Sequence, residues 1–216
     1  MRTAVIFDLD GVLVDSRAVF LNCVHYAFDK LGLARREPEV LLPYIGPPFT
    51  FGFAELLGTT PEDPRVDALI DGYRERYATA SLTETTVAPG IAAALAALNG
   101  HTLAVATSKP QDFADPLLRA MGLRDHFAAV AGPDLSARAE GKTETLARAL
   151  DAVRAERAVM VGDRSFDVVG AHANGVPCIG VTWGIGTAEE LTLAGADALI
   201  ASPQELPHAV AVLLAP

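Results

Sequence analysis

Cysteine is nearly absent: 216 residues carry two, Cys23 and Cys178. They lie far apart, without the C-x-x-C spacing of a zinc or redox centre, and read as reduced thiols packed like small hydrophobes. Histidine is also scarce, and His25, His101, His126, His172 and His208 show no ligand spacing. Basic residues are outnumbered, 17 Lys and Arg against 27 Asp and Glu, for a formal net charge of −10. Nucleic-acid binding runs on clustered Lys and Arg, so no nucleic-acid partner is expected. No uninterrupted apolar run approaches the roughly 20 residues that cross a bilayer, so no membrane partner is expected either. The stretch "MRTAVIFDLD" lacks the longer apolar region and small-residue cleavage site of a signal peptide, and the expectation is a soluble, cytoplasmic protein. Gly and Pro, 18 and 14, are not in excess while half of the chain is hydrophobic, which excludes a disordered chain.

What is present is a rhythm. Short Val- and Ile-rich runs, "AVIFD", "TLAVATS", "AVMVGD", "PCIGVT" and "DALIAS", read as strands of a parallel sheet buried on both faces. Helical patterns lie between them. "GIAAALAALNG" stops at Asn99-Gly100, "DPLLRAMG" at Gly122 and "SFDVVGAHANG" at Asn174-Gly175, while "TETLARALDAV" is amphipathic. "TAEELTLAG" carries a Thr187/Glu190 capping box, and "SPQELPHAVAVLL" carries Ser202 and Glu205 with Pro203 at the first helical position. The alternation predicts an α/β fold with a doubly wound parallel sheet. Residues 15–83 break the rhythm. "SRAVFLNCVHYAFDKLG" places Phe20, Leu21, Val24, Phe28 and Leu31 on one helical face, and a loop dense in Pro, Gly and aromatics follows. The expectation is an all-helical domain over 15–83, inserted into an α/β core made of 1–14 and 84–216.

In open α/β sheets ligands bind at the carboxyl ends of the strands. Asp8, Asp10, Thr107, Ser108 and Asp163 all stand at such ends, and Asp167 follows Asp163 by one helical turn. Carboxylates gathered in one place repel one another unless a cation sits among them. An oxygen-only set without His or Cys suits a hard ion, Mg²⁺. A lone D-x-D at a strand end is commonly a cap or a solvated turn; its combination with "GDRSFD" carries the metal reading. The Thr107 hydroxyl, the backbone of loop 108–110 and Lys142 at a helix start suit phosphoryl oxygens, and Lys109 is set aside in favour of Lys142. Gly11 lets the chain turn sharply beside the site.

These residues, in this order, resemble the haloacid dehalogenase superfamily, chiefly its phosphatases. "DLDGVLVDS" is similar to the first motif, Thr107 in "VATSKP" to the second, Lys142 to the third and "GDRSFD" to the fourth. The helical insert resembles the cap of the phosphoglycolate phosphatase-like and β-phosphoglucomutase-like subgroup. One departure is "KTET", where many relatives have Pro after the lysine. The resemblance implies Asp8 as nucleophile, forming an aspartyl-phosphate, and Asp10 as general acid and base. It implies Mg²⁺ on Asp8, the Asp10 main-chain carbonyl and Asp163, with Asp167 ligating or orienting a water. Gly11, Thr107, Ser108 and Lys142 become the phosphate-binding set. Dehalogenases of the family lack an acid at the position of Asp10.

The expected substrate is a small phosphorylated metabolite. "LPYIGPPFTFGF" resembles the cap loop of phosphoglycolate phosphatases, which makes phosphoglycolate the leading guess. The alternatives are a 5'-nucleotidase or another metabolite phosphatase, a β-phosphoglucomutase-type mutase, and a non-catalytic phosphate-binding regulator. The complete acid set weighs against the last. Tyr44, Arg35 and Arg36 are candidate contacts that also read as surface or packing, and Trp183 as cover for the sheet or a substrate contact. "GIGTAE" falls one glycine short of a dinucleotide fingerprint. A monomer or homodimer is expected.

Overall fold

The computed structural model of the chain describes residues 2–137 and 140–215. In chain order the elements are β1 (Thr3–Phe7), β2 (Val14–Asp15), α1 (Arg17–Lys30), α2 (Pro38–Leu41), α3 (Phe49–Leu57), α4 (Pro64–Glu84), β3 (Thr86–Val87), α5 (Ile91–Ala97) and β4 (Thr102–Ala106). There follow α6 (Gln111–Ala120), β5 (Ala129–Ala131), α7 (Lys142–Val153), β6 (Arg157–Gly162), α8 (Ser165–Ala173), β7 (Cys178–Val181), α9 (Ala188–Ala194), β8 (Ala198–Ile200) and α10 (Leu206–Leu213).

Six strands form one parallel sheet in the order β5-β4-β1-β6-β7-β8. The period of two sends Val5 and Phe7 of β1 to one face and Ala4 and Ile6 to the other, and all four are buried. Val5 and Phe7 pack with Leu95 of α5, Leu117 of α6 and Val210 of α10. Ala4 and Ile6 pack with Leu146 of α7, Val168 of α8 and Leu191 of α9. Both faces are therefore covered, which is why the strands read as continuous apolar runs. The five strands read from the sequence are present. The sixth, β5, is a three-residue edge strand too short to stand out as an apolar run.

Strand order reverses around β1: the chain passes from β1 to β4 and β5, then returns to β6 on the other side. That puts the carboxyl ends of β4, β1 and β6 side by side.

Between β2 and β3 the chain makes the helices α1 to α4, which have a core of their own. Asp63 caps α4 by accepting from the Arg65 amide at 2.9 Å, with Pro64 at the first helical position. The face of α4 bearing Val66, Leu69, Ile70, Tyr73, Tyr77 and Ala80 is buried. On α1 the buried face is Val19, Phe20, Cys23, Val24, Ala27 and Phe28. Leu31, expected on that face, closes the helix as its C-cap and is exposed. The segments entering and leaving the helical unit pair with each other as a two-strand antiparallel ribbon, Val14 opposite Val87 and Asp15 opposite Thr86. Among the described residues no helix is long and apolar enough to cross a membrane.

Candidate active site

Asp8 follows β1 directly, and its amide donates to Val161 O of β6 at 2.9 Å, so the carboxylate is carried on the sheet's ladder. Its Oδ1 accepts from the Leu9 amide at 2.7 Å and lies 2.8 Å from Lys142 Nζ. Lys142 opens α7 and is buried. Its ammonium also lies 2.9 Å from Asp167 Oδ1 and donates to Ala106 O at 2.9 Å, so it pairs with two carboxylates while one hydrogen is held by the main chain. Burial alone would lower its pKa; the Asp167 and Asp8 charges raise it instead.

Asp163, at the end of β6, is fully buried. Its Oδ2 accepts from the Ile185 amide at 2.6 Å, while Oδ1 has no hydrogen-bond partner among the described residues. Asp167 sits in the first turn of α8, where its Oδ2 accepts from the amides of Asp163 and Arg164 at 3.0 Å each. The two carboxylates thus meet through the start of a helix rather than along one helix face. Asp8, Asp163 and Asp167 present carboxylate oxygens within 4.8 Å of one another. Burial, then Asp167 and Asp8, push the Asp163 carboxyl well above the ordinary range. Burial also lifts Asp8, partly opposed by Lys142, to about 6.

Three carboxylates against one ammonium leave an excess of two negative charges. A divalent cation cancels that excess, and the orphaned Asp163 Oδ1 is a ready ligand. The residues fit a hard metal ion bound through oxygen.

Glycine makes this crowding sterically feasible. Gly11 has φ +85°, and a β-carbon there would fall within the Asp163 carboxylate. A β-carbon on Gly184 would do the same. The sequence assigned Gly11 to phosphate binding. Its amide donates to Val14 O at 2.8 Å, so it offers no free donor and its part is steric. Loop 108–110 is similarly reduced. Pro110 has no N–H, and the Lys109 amide donates to Thr107 Oγ1 at 3.1 Å, which leaves the Ser108 amide.

Asp8, Asp10, Thr107 and Ser108 line one cavity beneath the helical unit. The helical unit adds Phe20, Phe49, Tyr73, Tyr77 and the Arg74 guanidinium to its lining, and Phe113 of α6 adds a further ring. Asp10 stands apart from the three-carboxylate cluster, and its Oδ1 accepts from Lys109 Nζ at 2.7 Å. Tyr44, Arg35 and Arg36 do not line this cavity: Tyr44 packs against the helical core and Arg35 pairs with Asp29. Trp183 lines a separate cavity with Gly11 and Arg17, and its Nε1 donates to Val12 O at 3.2 Å.

Three features escaped the sequence reading. Lys109 holds Asp10. Loop 183–186, set aside as an incomplete nucleotide fingerprint, wraps Asp163 with its glycines and the Ile185 amide. Arg164 reaches from the core to the carbonyls of Pro43 and Ile45. Glu190, read as half of a capping box, instead accepts from Arg164 Nε, the Ser165 amide and the Ser165 hydroxyl; Thr187 alone caps α9.

Sheet, carboxylate cluster and overlying helices have the layout of a phosphoryl-handling hydrolase. The chain belongs to the haloacid dehalogenase-like hydrolase family, which residues 5–181 match. It is 39% identical over 191 residues to a 5'-nucleotidase of Pseudomonas aeruginosa, covering 87% of this chain and 86% of the relative. It is 33% identical over 211 residues to a plasmid-borne phosphoglycolate phosphatase of Cupriavidus necator, covering 95% and 91%. The crystal structure of a protein from Clostridium acetobutylicum, described as a predicted phosphatase, superposes with a TM-score of 0.91 at 34% identity, over 99% of this chain and all of the other. Within its family this chain is a phosphatase, a phosphoric monoester hydrolase.

Proposed function

We propose that the chain is a Mg²⁺-dependent phosphatase of small phosphorylated metabolites, working through an aspartyl-phosphate on Asp8. The observation that carries this reading is the buried cluster of Asp8, Asp163 and Asp167 around Lys142, with its residual charge of minus two. Asp8, Asp163, Asp167 and the Asp10 main-chain carbonyl would hold the ion. Bound there, it would neutralise charge on the nucleophile and on a phosphoryl oxygen.

The rest falls to the chain's own side chains. Lys142 and the Leu9 amide hold Asp8 Oδ1 and fix the carboxylate's rotation. An oxygen of Asp8 attacks phosphorus and the bond from phosphorus to the leaving oxygen breaks. Asp10 gives its proton to that oxygen, and the product alcohol departs. As a carboxylate, Asp10 then takes a proton from water. The water oxygen attacks phosphorus, the bond to Asp8 breaks, and orthophosphate and the Asp8 carboxylate are restored. The Thr107 hydroxyl and the Ser108 amide hold phosphoryl oxygens. The helical unit over 15–83 acts as a cap on the core of 1–14 and 84–216.

The cavity's composition ranks the substrates. Phosphoglycolate, first by the resemblance of the cap loop, needs a cation for its second acid, and among the described residues Arg74 alone offers one there beside the engaged Lys109. The aromatic surfaces suit a planar base, so a 5'-mononucleotide moves ahead of phosphoglycolate. The test compares phosphate release from a 5'-mononucleotide, ribose 5-phosphate and phosphoglycolate, with and without EDTA. The first two share a leaving alkoxide and differ by the base. We expect EDTA-sensitive release from all three, with kcat/KM for the nucleotide at least about tenfold above ribose 5-phosphate. No EDTA-sensitive release from any phosphomonoester would end the reading; equal rates would end the ranking.

A further inference from the structure

Lys109 is a largely buried cation to which the chemistry above gives no part. It lies two residues past Thr107 at the end of β4, with 9% of its side chain exposed, against 14% for its partner Asp10. Its ammonium lies 2.7 Å from Asp10 Oδ1 and also donates to the Tyr77 hydroxyl, with the Tyr77 ring centroid 4.8 Å away. Tyr77 belongs to α4 of the helical unit and is itself buried. Its ring is fixed from both sides of the cavity. Tyr73 stacks on it at 5.3 Å and 16°, and Phe113 of α6 meets it edge-on at 5.3 Å and 81°. An ammonium withdrawn from water is costly unless its partners replace the lost hydration, and here one partner comes from the core and the other from the helical unit.

We infer that Lys109 is the positioning residue of the acid–base carboxylate, and that Tyr77 makes this positioning depend on the helical unit being seated over the site. The inference rests on the reading of Asp10 as acid and base. Anchored through Oδ1, Asp10 has its second oxygen free to deliver a proton to the leaving group and later to collect one from water. Without Lys109 the carboxylate can rotate about its side-chain bonds, and a misplaced acid transfers its proton poorly. Lys109 would thus link arrival of the aromatic cavity wall to readiness of the chemistry.

Leaving-group dependence separates this role from a merely structural ion pair. The p-nitrophenolate ion leaves without help, whereas phenolate, whose conjugate acid is as weak as the tyrosine phenol with a pKa of about 10, benefits from protonation. The experiment measures kcat/KM for phenyl phosphate and p-nitrophenyl phosphate with wild type, Lys109→Met, Lys109→Arg and Tyr77→Phe. We expect Lys109→Met to lose about 100-fold on phenyl phosphate and about threefold on p-nitrophenyl phosphate. Lys109→Arg recovers part of the loss, and Tyr77→Phe shows the same tilt at about five- to tenfold. Equal losses on both substrates in Lys109→Met would overturn the assignment, leaving a structural pair. If Lys109→Met does not fold, Tyr77→Phe, which keeps the ring, decides: absence of a tilt there overturns the link to the helical unit. Wild type inert toward both esters would instead remove the phosphatase reading beneath it.

Discussion

At the scale of single residues, the proposed chemistry divides one task between Asp10 and Lys109, and the two can be separated. Asn at position 10 keeps a carbonyl oxygen for Lys109 to bind but cannot carry the proton. Asp10→Asn should therefore fold with the ion pair replaced by a hydrogen bond from the ammonium to the amide oxygen, while kcat/KM on phenyl phosphate falls about 10²–10⁴-fold. The metal contact expected of this residue is its main-chain carbonyl, so the rise in melting temperature on adding Mg²⁺ should match wild type. Turnover near the wild-type level would remove the acid–base role. Asp8, Asp10 and Asp163 could be read from the sequence because they stand where apolar runs end and a charge is otherwise out of place, and Asp167 through its spacing from Asp163. Lys109 could not. Its place in "TSKP" offered it only as a rival to Lys142 for a phosphate, and its partner Tyr77 lies 32 positions away in a different structural unit. Gly184 and Gly186 were hidden for a related reason: their meaning is steric, set by Asp163 across a loop junction.

At the scale of elements, regular runs were legible and short pairings were not. Five strands and the helices between them follow from hydrophobic period and end signals, since buried parallel strands are continuous and apolar. The ribbon of β2 and β3 has two residues per strand, and no period can be read from two residues. The capping box expected at Thr187 and Glu190 was half right because tertiary structure found another use for the acid. Glu190 leaves its own helix and accepts three hydrogen bonds at the start of α8, beside Asp167. That makes α8 dependent on α9. Glu190→Ala should cost about 1–3 kcal/mol, a drop of a few degrees in melting temperature for a chain of this size. Because Arg164 also loses its carboxylate partner, the loss should exceed that of Thr187→Ala, which removes one cap of about 1 kcal/mol. Differential scanning calorimetry of the two variants checks the order; a larger loss from Thr187→Ala would contradict it.

At the scale of the molecule, a parallel sheet sends every strand's carboxyl end to one edge. The reversal of strand order then sets β4, β1 and β6 together there. An acidic chain thus concentrates three buried carboxylates where its architecture leaves room for a ligand, and stability and function become opposed through charge. The direction of the pH effect follows. Asp8 is raised by burial from 3.8 to about 6 in the folded chain, and Asp163 is raised as well. A carboxyl whose folded pKa exceeds its unfolded value favours the fold while protonated. That contribution is complete below about 3.8 and is lost as pH rises through about 6. Above that value the metal-free fold carries ionised, mutually repelling acids. A divalent ion that binds only the folded chain offsets this cost, by about 2.7 kcal/mol at one hundred times its dissociation constant. At pH 7.5 saturating Mg²⁺ should therefore raise the melting temperature by about 5–10 °C. At pH 5 protons compete for the same oxygens, and the rise should be less than about half as large. Melting curves at the two pH values, with EDTA as the metal-free reference, test the whole arrangement at once. Equal gains would mean that the ion binds away from the buried acids. A gain larger at pH 5 would reverse the sign derived from their burial.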